Sequence, residues 1–474
     1  MAKTFFFYDL ETSGLNPRSD RIMQFAGQRT DMDFRPIGEP INELVAINDD
    51  TIPSPEALMV TGITPQKTIE EGWTEAEFSK KIVNEWFTPD TIIVGFNSVR
   101  FDDEFIRHLL WRNFHDPYEW SWSDGRSRWD LLDVVRMTRA LRPEGIQWPV
   151  NELGDAVNKL EPITLANGID HDHAHDALSD VLALIDVARL LKSAQPQLFD
   201  YLLTMRDKKA VQNLVNLEDK RPFVYTSGRY DKQFEKTTVA IALSAAPNSN
   251  VLVYDLRHDP SPFVGLSEQE LSDRLFASWD ERQSEGFLAV PVKPLQYNRC
   301  PAVAPLGVLQ QGDGWSKIGL TSAVVEKNLK ELLAHPDFAE RVRSAFESRP
   351  RPAGVELDDP AAQLYDGFLS NGDRVRVEAV RNATAQQLVD MHPEFSDSRL
   401  DGLLLHYKAR SFPATLSDSE MVEWEKWRSE RLLRQVPLAV KSIENLLHQS
   451  LSDHQMYVLS ELKLWIESVV PSAD

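Results

Sequence analysis

The stretch FFFYDLETSG (residues 5–14) sets four aromatic rings in a row and then two acids one residue apart. An apolar run this short suits a buried strand rather than a helix. Side chains two apart on a strand share a face, so Asp9 and Glu11 project together from its end. Paired carboxylates repel unless a cation sits between them. A hard divalent ion such as Mg²⁺ relieves that repulsion and takes one or two carboxylates together with water and substrate phosphate. Taken alone, D-x-E-T also fits a plain strand end with two solvated acids.

Working outward, IMQFAGQRTD (22–31) and TIIVGFN (91–97) read as two further strands. Between them TEAEFSKKIVNEWF (74–87) places Phe78, Ile82, Val83 and Trp86 at helical spacing. Alternation of strand and helix predicts an α/β domain over 1–195. RPFVYTSGRY, TTVAIALSA and SNVLVYDL, short runs broken by Gly, Ser, Asn and Pro, predict a small β-rich domain over 196–350. Beyond the proline-rich SRPRPAG (348–354), long amphipathic stretches predict an all-helical domain over 351–474.

Composition agrees with three domains. A chain of 474 residues exceeds one core, and 42% hydrophobic with 26% charged residues is ordinary for a globular protein. The single cysteine, Cys300, excludes an internal disulfide and cysteine-based zinc fingers, and fits a reducing cytoplasm. The apolar N-terminal run meets Asp9 too soon for a signal peptide, and no apolar run approaches the roughly 18 residues of a membrane span. A net charge of −22 argues against coating nucleic acid by bulk electrostatics, yet the charge is segregated. Residues 201–236 hold eight Lys or Arg against five Asp or Glu, whereas 353–474 hold twelve against twenty.

Two more pieces carry chemistry. VGFNSVRFDDEF leads from the third strand into a helix, where Asp102 or Asp103 suits an N-cap. GIDHDHAHDALSDV (168–181) opens another helix, with Asp176 as N-cap, His175 just before it and Asp180 one turn inside, so that His175 and Asp180 can face one cleft. A zinc site on His171, His173 and His175 would need strand geometry that this loop does not support.

In this order, D-x-E-T, N-x3-F-D and H-D-A-x2-D resemble the motif set of the DEDDh 3′→5′ exonucleases, whose fold is RNase H-like. Longer stretches, among them SRWDLLDVVRMTRALRPEGIQWP, QPQLFDYLLTMRDKK and AAQLYDGFLSNGDR, resemble bacterial exonuclease I across nearly the whole chain. The resemblance implies a mixed sheet with flanking helices, then an SH3-like β-rich domain and a helical C-terminal domain closing around a strand of DNA. It implies that Asp9, Glu11, Asp102 and Asp180 hold two Mg²⁺ ions, which Mn²⁺ can replace. His175 is then the general base, because a neutral imidazole near pH 7 can take a proton from water. Asp103 competes with Asp102 for one role; the residue directly after Phe101 matches the family pattern.

Residues 100–142 contain eight Arg and no Lys, interleaved with aromatic rings, which suits an unpaired strand gripped at phosphate and stacked at its bases. The contact candidates are Arg107, Tyr118, Trp122, Arg128, Arg136 and Arg142, with Thr12 beside the metals and Tyr201 in the basic 201–236 segment. Lys159 stands where the family usually carries arginine, so that phosphate contact loses its planar fork. The resemblance further implies processive single-stranded DNA degradation by a monomer in repair and recombination, and binding of the C-terminal tail of single-strand DNA-binding protein. An exoribonuclease of the same superfamily and a non-catalytic strand-binding scaffold are the alternatives.

Overall fold

The computed structural model describes residues 3–171, 176–247, 250–349 and 359–471. Its contacts define two units: Met1–Ser127, His171–Leu184 and Gly354–Asp474 form one, Arg128–Asp170 and Ile185–Ala353 the other.

In the first unit β1 (Thr4–Thr12), β2 (Ile22–Thr30), β3 (Ile41–Leu44) and β4 (Thr91–Gly95) lie in the order β3-β2-β1-β4. β1 runs antiparallel to β2 and parallel to β4, giving a mixed sheet. Pairing with β4 stops at Phe7, so Asp9, Leu10 and Glu11 run on past the parallel register. The crevice beyond the carboxyl ends of parallel strands is where open α/β sheets bind ligands. Phenylalanine dominates because the central strand is covered on both faces: Phe6, Tyr8, Phe25, Phe78, Trp86 and Phe87 share one core, with Phe25 stacked on Trp86 at 4.8 Å.

The helix expected over 74–87 is real but changes pitch. Thr74 and Glu77 form a reciprocal cap for Glu75–Lys81, and the chain then widens into a π-turn over Ile82–Trp86. That turn keeps both Ile82 and Trp86 in the core.

The helices Arg399–Ser411, Asp418–Leu447 and Asp453–Val469 belong to this same unit. Their apolar faces complete its cores: Leu432, Ile443, Leu462 and Trp465 pack with Met23, Ile47 and Leu58, while Leu400, Leu403 and Tyr407 pack with Trp111 and Phe114.

The second unit holds an antiparallel five-stranded sheet ordered Ala302–Pro305, Phe223–Thr226, Thr237–Ala246, Asn250–Asp255, Val292–Gln296. Phe223, Tyr225, Val251 and Val253 fill its core. Helices Ser322–Ala334 and Asp337–Glu347 add to this β-rich unit. Among the described residues no helix is long and apolar enough to cross a membrane.

Candidate metal centre

Asp9 and Glu11 leave the same face of β1, as their spacing predicts, and the strand's register shifts just after them, between Glu11 and Thr12. Asp180 comes from the first turn of the helix Ala177–Ala194. One carboxylate oxygen from each of the three lies within 4.8 Å of the others. Asp176 caps that helix, its Oδ1 accepting from the Ser179 amide at 3.0 Å, which fixes the turn that presents Asp180.

Asp102 begins the helix Asp102–Arg112 rather than capping it; Phe101 takes the cap position. The Asp102 side chain is buried, and its charge joins burial and Asp180 in pushing the Asp9 carboxyl well above its ordinary range. Burial first, then Asp9, Asp180 and Asp176, push Glu11 up to about 9. Acids that raise one another's pKa in this way lack a counter-charge, which a hard divalent cation supplies. The all-oxygen donor set therefore fits Mg²⁺ or Mn²⁺ and not a soft, thiolate-seeking metal.

Asp103, the rival of Asp102, is 1% exposed and accepts from the Tyr8 hydroxyl at 2.6 Å. Sequence reasoning missed this pair; the signal was the Tyr8 hydroxyl closing the aromatic run of residues 5–8, which needs a partner when buried. His175 lies outside the described residues. His171 does approach the acids, its Nε2 lying 2.5 Å from Asp180 Oδ1.

The contact candidates divide between the units. In the first, Thr12 is buried and donates to the Gly14 carbonyl at 2.7 Å. Arg107 faces inward, its guanidinium 2.7 Å from Glu104 and 5.7 Å from the Tyr118 ring. Tyr118 packs half-buried against the helical module's core, while Trp122 stands 65% exposed. In the second, Arg128 donates to the Asn298 carbonyl and Arg136 pairs with Asp133 at 2.6 Å. Arg142 reaches the Val308 carbonyl and, with Tyr201, lines a cavity of about 280 Å³. Burial lifts the Tyr201 hydroxyl to about 12. Lys159 is exposed at the start of the helix Leu160–Ala166.

Comparison with known proteins matches an exonuclease domain over residues 6–188, an exonuclease I SH3-like domain over 206–348 and an exonuclease I C-terminal domain over 358–469. The chain belongs to the exonuclease I family. Exodeoxyribonuclease I of Haemophilus influenzae is 40% identical over 431 residues, 90% of each chain, and that of Escherichia coli is 40% identical over 90% of this chain and 89% of its own. Among solved structures, E. coli exonuclease I in complex with a dA16 oligonucleotide matches with a TM-score of 0.94 at 38% identity, covering 99% of this chain and all of the other. An exonuclease I from Methylocaldum szegediense matches with a TM-score of 0.93 at 38% identity and the same coverage. The mixed sheet with its helices, the SH3-like module and the helical C-terminal module thus follow one another in the order expected of an exonuclease I.

Proposed function

We propose that this exonuclease removes 5′-mononucleotides from the 3′ end of single-stranded DNA, with Asp9, Glu11, Asp102 and Asp180 holding two Mg²⁺ ions at the end of β1. The observation that carries the reading is the convergence of Asp9, Glu11 and Asp180, with the charge of Asp102 acting on Asp9, from three distant parts of the chain. The relatives named above are exodeoxyribonucleases, and one of them is solved with an oligonucleotide in place.

Bound divalent ions would supply a nucleophile at neutral pH and stabilise negative charge on the scissile phosphate and the leaving oxygen. The chain's own residues do the rest. Asp9 and Glu11 aim their carboxylates from a strand buried on both faces, so their spacing is rigid. Asp180 closes the set from a capped helix turn. His175, carried over from the family motif, accepts the proton of the attacking water. Trp122 offers an exposed ring for stacking an unpaired base, and Lys159 a cation for a phosphate. The enzyme acts in the cytoplasm as a monomer, processively, in repair and recombination, and takes the tail of single-strand DNA-binding protein; a solved SSB/exonuclease I complex among the structural matches supports the last point.

The test is degradation of a 3′-labelled single strand with Mg²⁺ and with EDTA, beside a matched RNA. Release of labelled deoxynucleotide only with the metal supports the reading. Faster loss of RNA, or cleavage undiminished by EDTA, contradicts it.

A further inference from the structure

The segment 13–21 joins the catalytic end of β1 to β2. It exposes Leu15 at 83%, yet its base is tied down by charged groups that almost no water reaches. Ser13 and Arg21 pair through their backbones, and the Arg21 amide also donates to Ser13 Oγ at 2.9 Å. Asp20 Oδ2 accepts from the Asn16 amide at 2.8 Å. Beneath them lies a cluster of ions: Arg21 faces Asp50 at 3.6 Å and Glu75 at 3.9 Å, and Arg112 pairs with Glu75 at 2.7 Å. The helical C-terminal module supplies the remaining members. Arg410 pairs with Asp50 at 2.8 Å, and Arg431 pairs with Asp359 at 2.9 Å. Arg21, Asp50, Glu75, Arg112, Asp359 and Arg431 are each 4% exposed or less.

Arg431 spends three separate donors. Nη1 meets Asp359, Nε donates to the Asp50 carbonyl at 3.0 Å, and Nη2 reaches across the chain to the Ser19 carbonyl at 3.1 Å. Arg21 Nη1 donates to that same Ser19 carbonyl at 2.8 Å. A planar guanidinium can serve three acceptors at fixed angles, and an ammonium on a flexible stem cannot. Buried ion clusters add little net stability because desolvation offsets their attraction, so their value lies in fixing geometry. What this cluster fixes is the stretch that begins two residues after Glu11.

We propose that Arg431 is a positioning residue for the nuclease reaction: through Ser19 and Arg21 it holds the 13–21 segment, and so Thr12 and the Glu11 carboxylate, in register with Asp180. The acidic helical module then contributes to turnover directly, without touching the metals. This rests on the nuclease reading above.

The test uses the full chain. Arg431→Lys keeps the buried cation but loses the fork, and Ser13→Ala loosens the base of the same segment by removing the side-chain acceptor of the Arg21 amide. Lys408→Met removes the ion pair of buried Lys408 with partly exposed Glu420, 2.6 Å away in the same module, and serves as control. Misplacement of catalytic groups on the order of 1 Å costs up to about a hundredfold in rate. Single-turnover cleavage should therefore fall about tenfold or more in Arg431→Lys and Ser13→Ala, with strand binding in EDTA unchanged. The double variant should be no slower than the worse single one. Lys408→Met should lose thermal stability but keep its rate. Rates within twofold of the parent for both segment variants, or the same rate loss in Lys408→Met, would overturn the proposal. If the parent itself fails to cleave with Mg²⁺, the nuclease reading fails instead.

Discussion

The Tyr8 hydroxyl donates to Asp103 Oδ1 at 2.6 Å, so the second of two adjacent buried acids is tied to the core strand beside the one proposed to hold metal. Asp102→Asn should therefore abolish cleavage with little change in melting temperature. Tyr8→Phe should leave the site intact and cost about 1–3 kcal/mol, the usual penalty for a buried acceptor deprived of its donor. Denaturant unfolding beside a cleavage assay separates the two. Equal activity loss in Tyr8→Phe and Asp102→Asn would mean that the acids share one role.

Acid should destabilise the first unit early. His108 and His115 are buried, and burial, aided by Arg112 for the first and by Arg381 and Lys80 for the second, lowers each to about 3. A folded pKa below the unfolded value of roughly 6.5 means that the unfolded chain binds the extra proton. Stability from each neutral ring is thus complete above about pH 6.5 and falls by about 1.4 kcal/mol per pH unit down to about pH 3. His115→Phe should flatten the fall in unfolding free energy between pH 6.5 and 4. An unchanged slope would show that other groups govern it.

The first sheet was legible because its cause is local. β1 spans Thr4–Thr12 and so contains the aromatic run and the paired acids read as a strand, since the Phe run and the two-residue periodicity both act within a few residues. That Asp9 and Glu11 share a face was legible from strand spacing, whereas their meeting with Asp180 was expected only from the resemblance of the three motifs to the family's set. The cores shared by the sheet and the C-terminal helices were hidden, because Met23 and Leu432 meet only through long-range packing that no periodicity encodes. The ion cluster was hidden for the same reason: buried arginines such as Arg21 and Arg112 look like surface charge in a sequence, and only their tertiary neighbours make burial tolerable. Arg107 sits in an arginine-rich stretch that suggested a phosphate contact, whereas Glu104 one turn earlier holds it inward.

Strand contact should divide into a stacking part and a phosphate part. Trp122→Ala should weaken binding of a short oligonucleotide by about 1–3 kcal/mol, with the salt dependence unaltered. Lys159→Ala should weaken it less and reduce the slope of log K against log salt by about 0.7, the share of one phosphate contact on a single strand. Fluorescence anisotropy over a salt series measures both. A salt slope unchanged in Lys159→Ala would remove that residue from the path.

The most direct measurement counts Mn²⁺ bound by the chain, by electron paramagnetic resonance, alongside release of nucleotide from a 3′-labelled single strand. Two ions in the parent, with Asp180→Ala losing metal and turnover together while still binding the strand, is the expected result. Full metal binding and undiminished turnover in Asp180→Ala would contradict it.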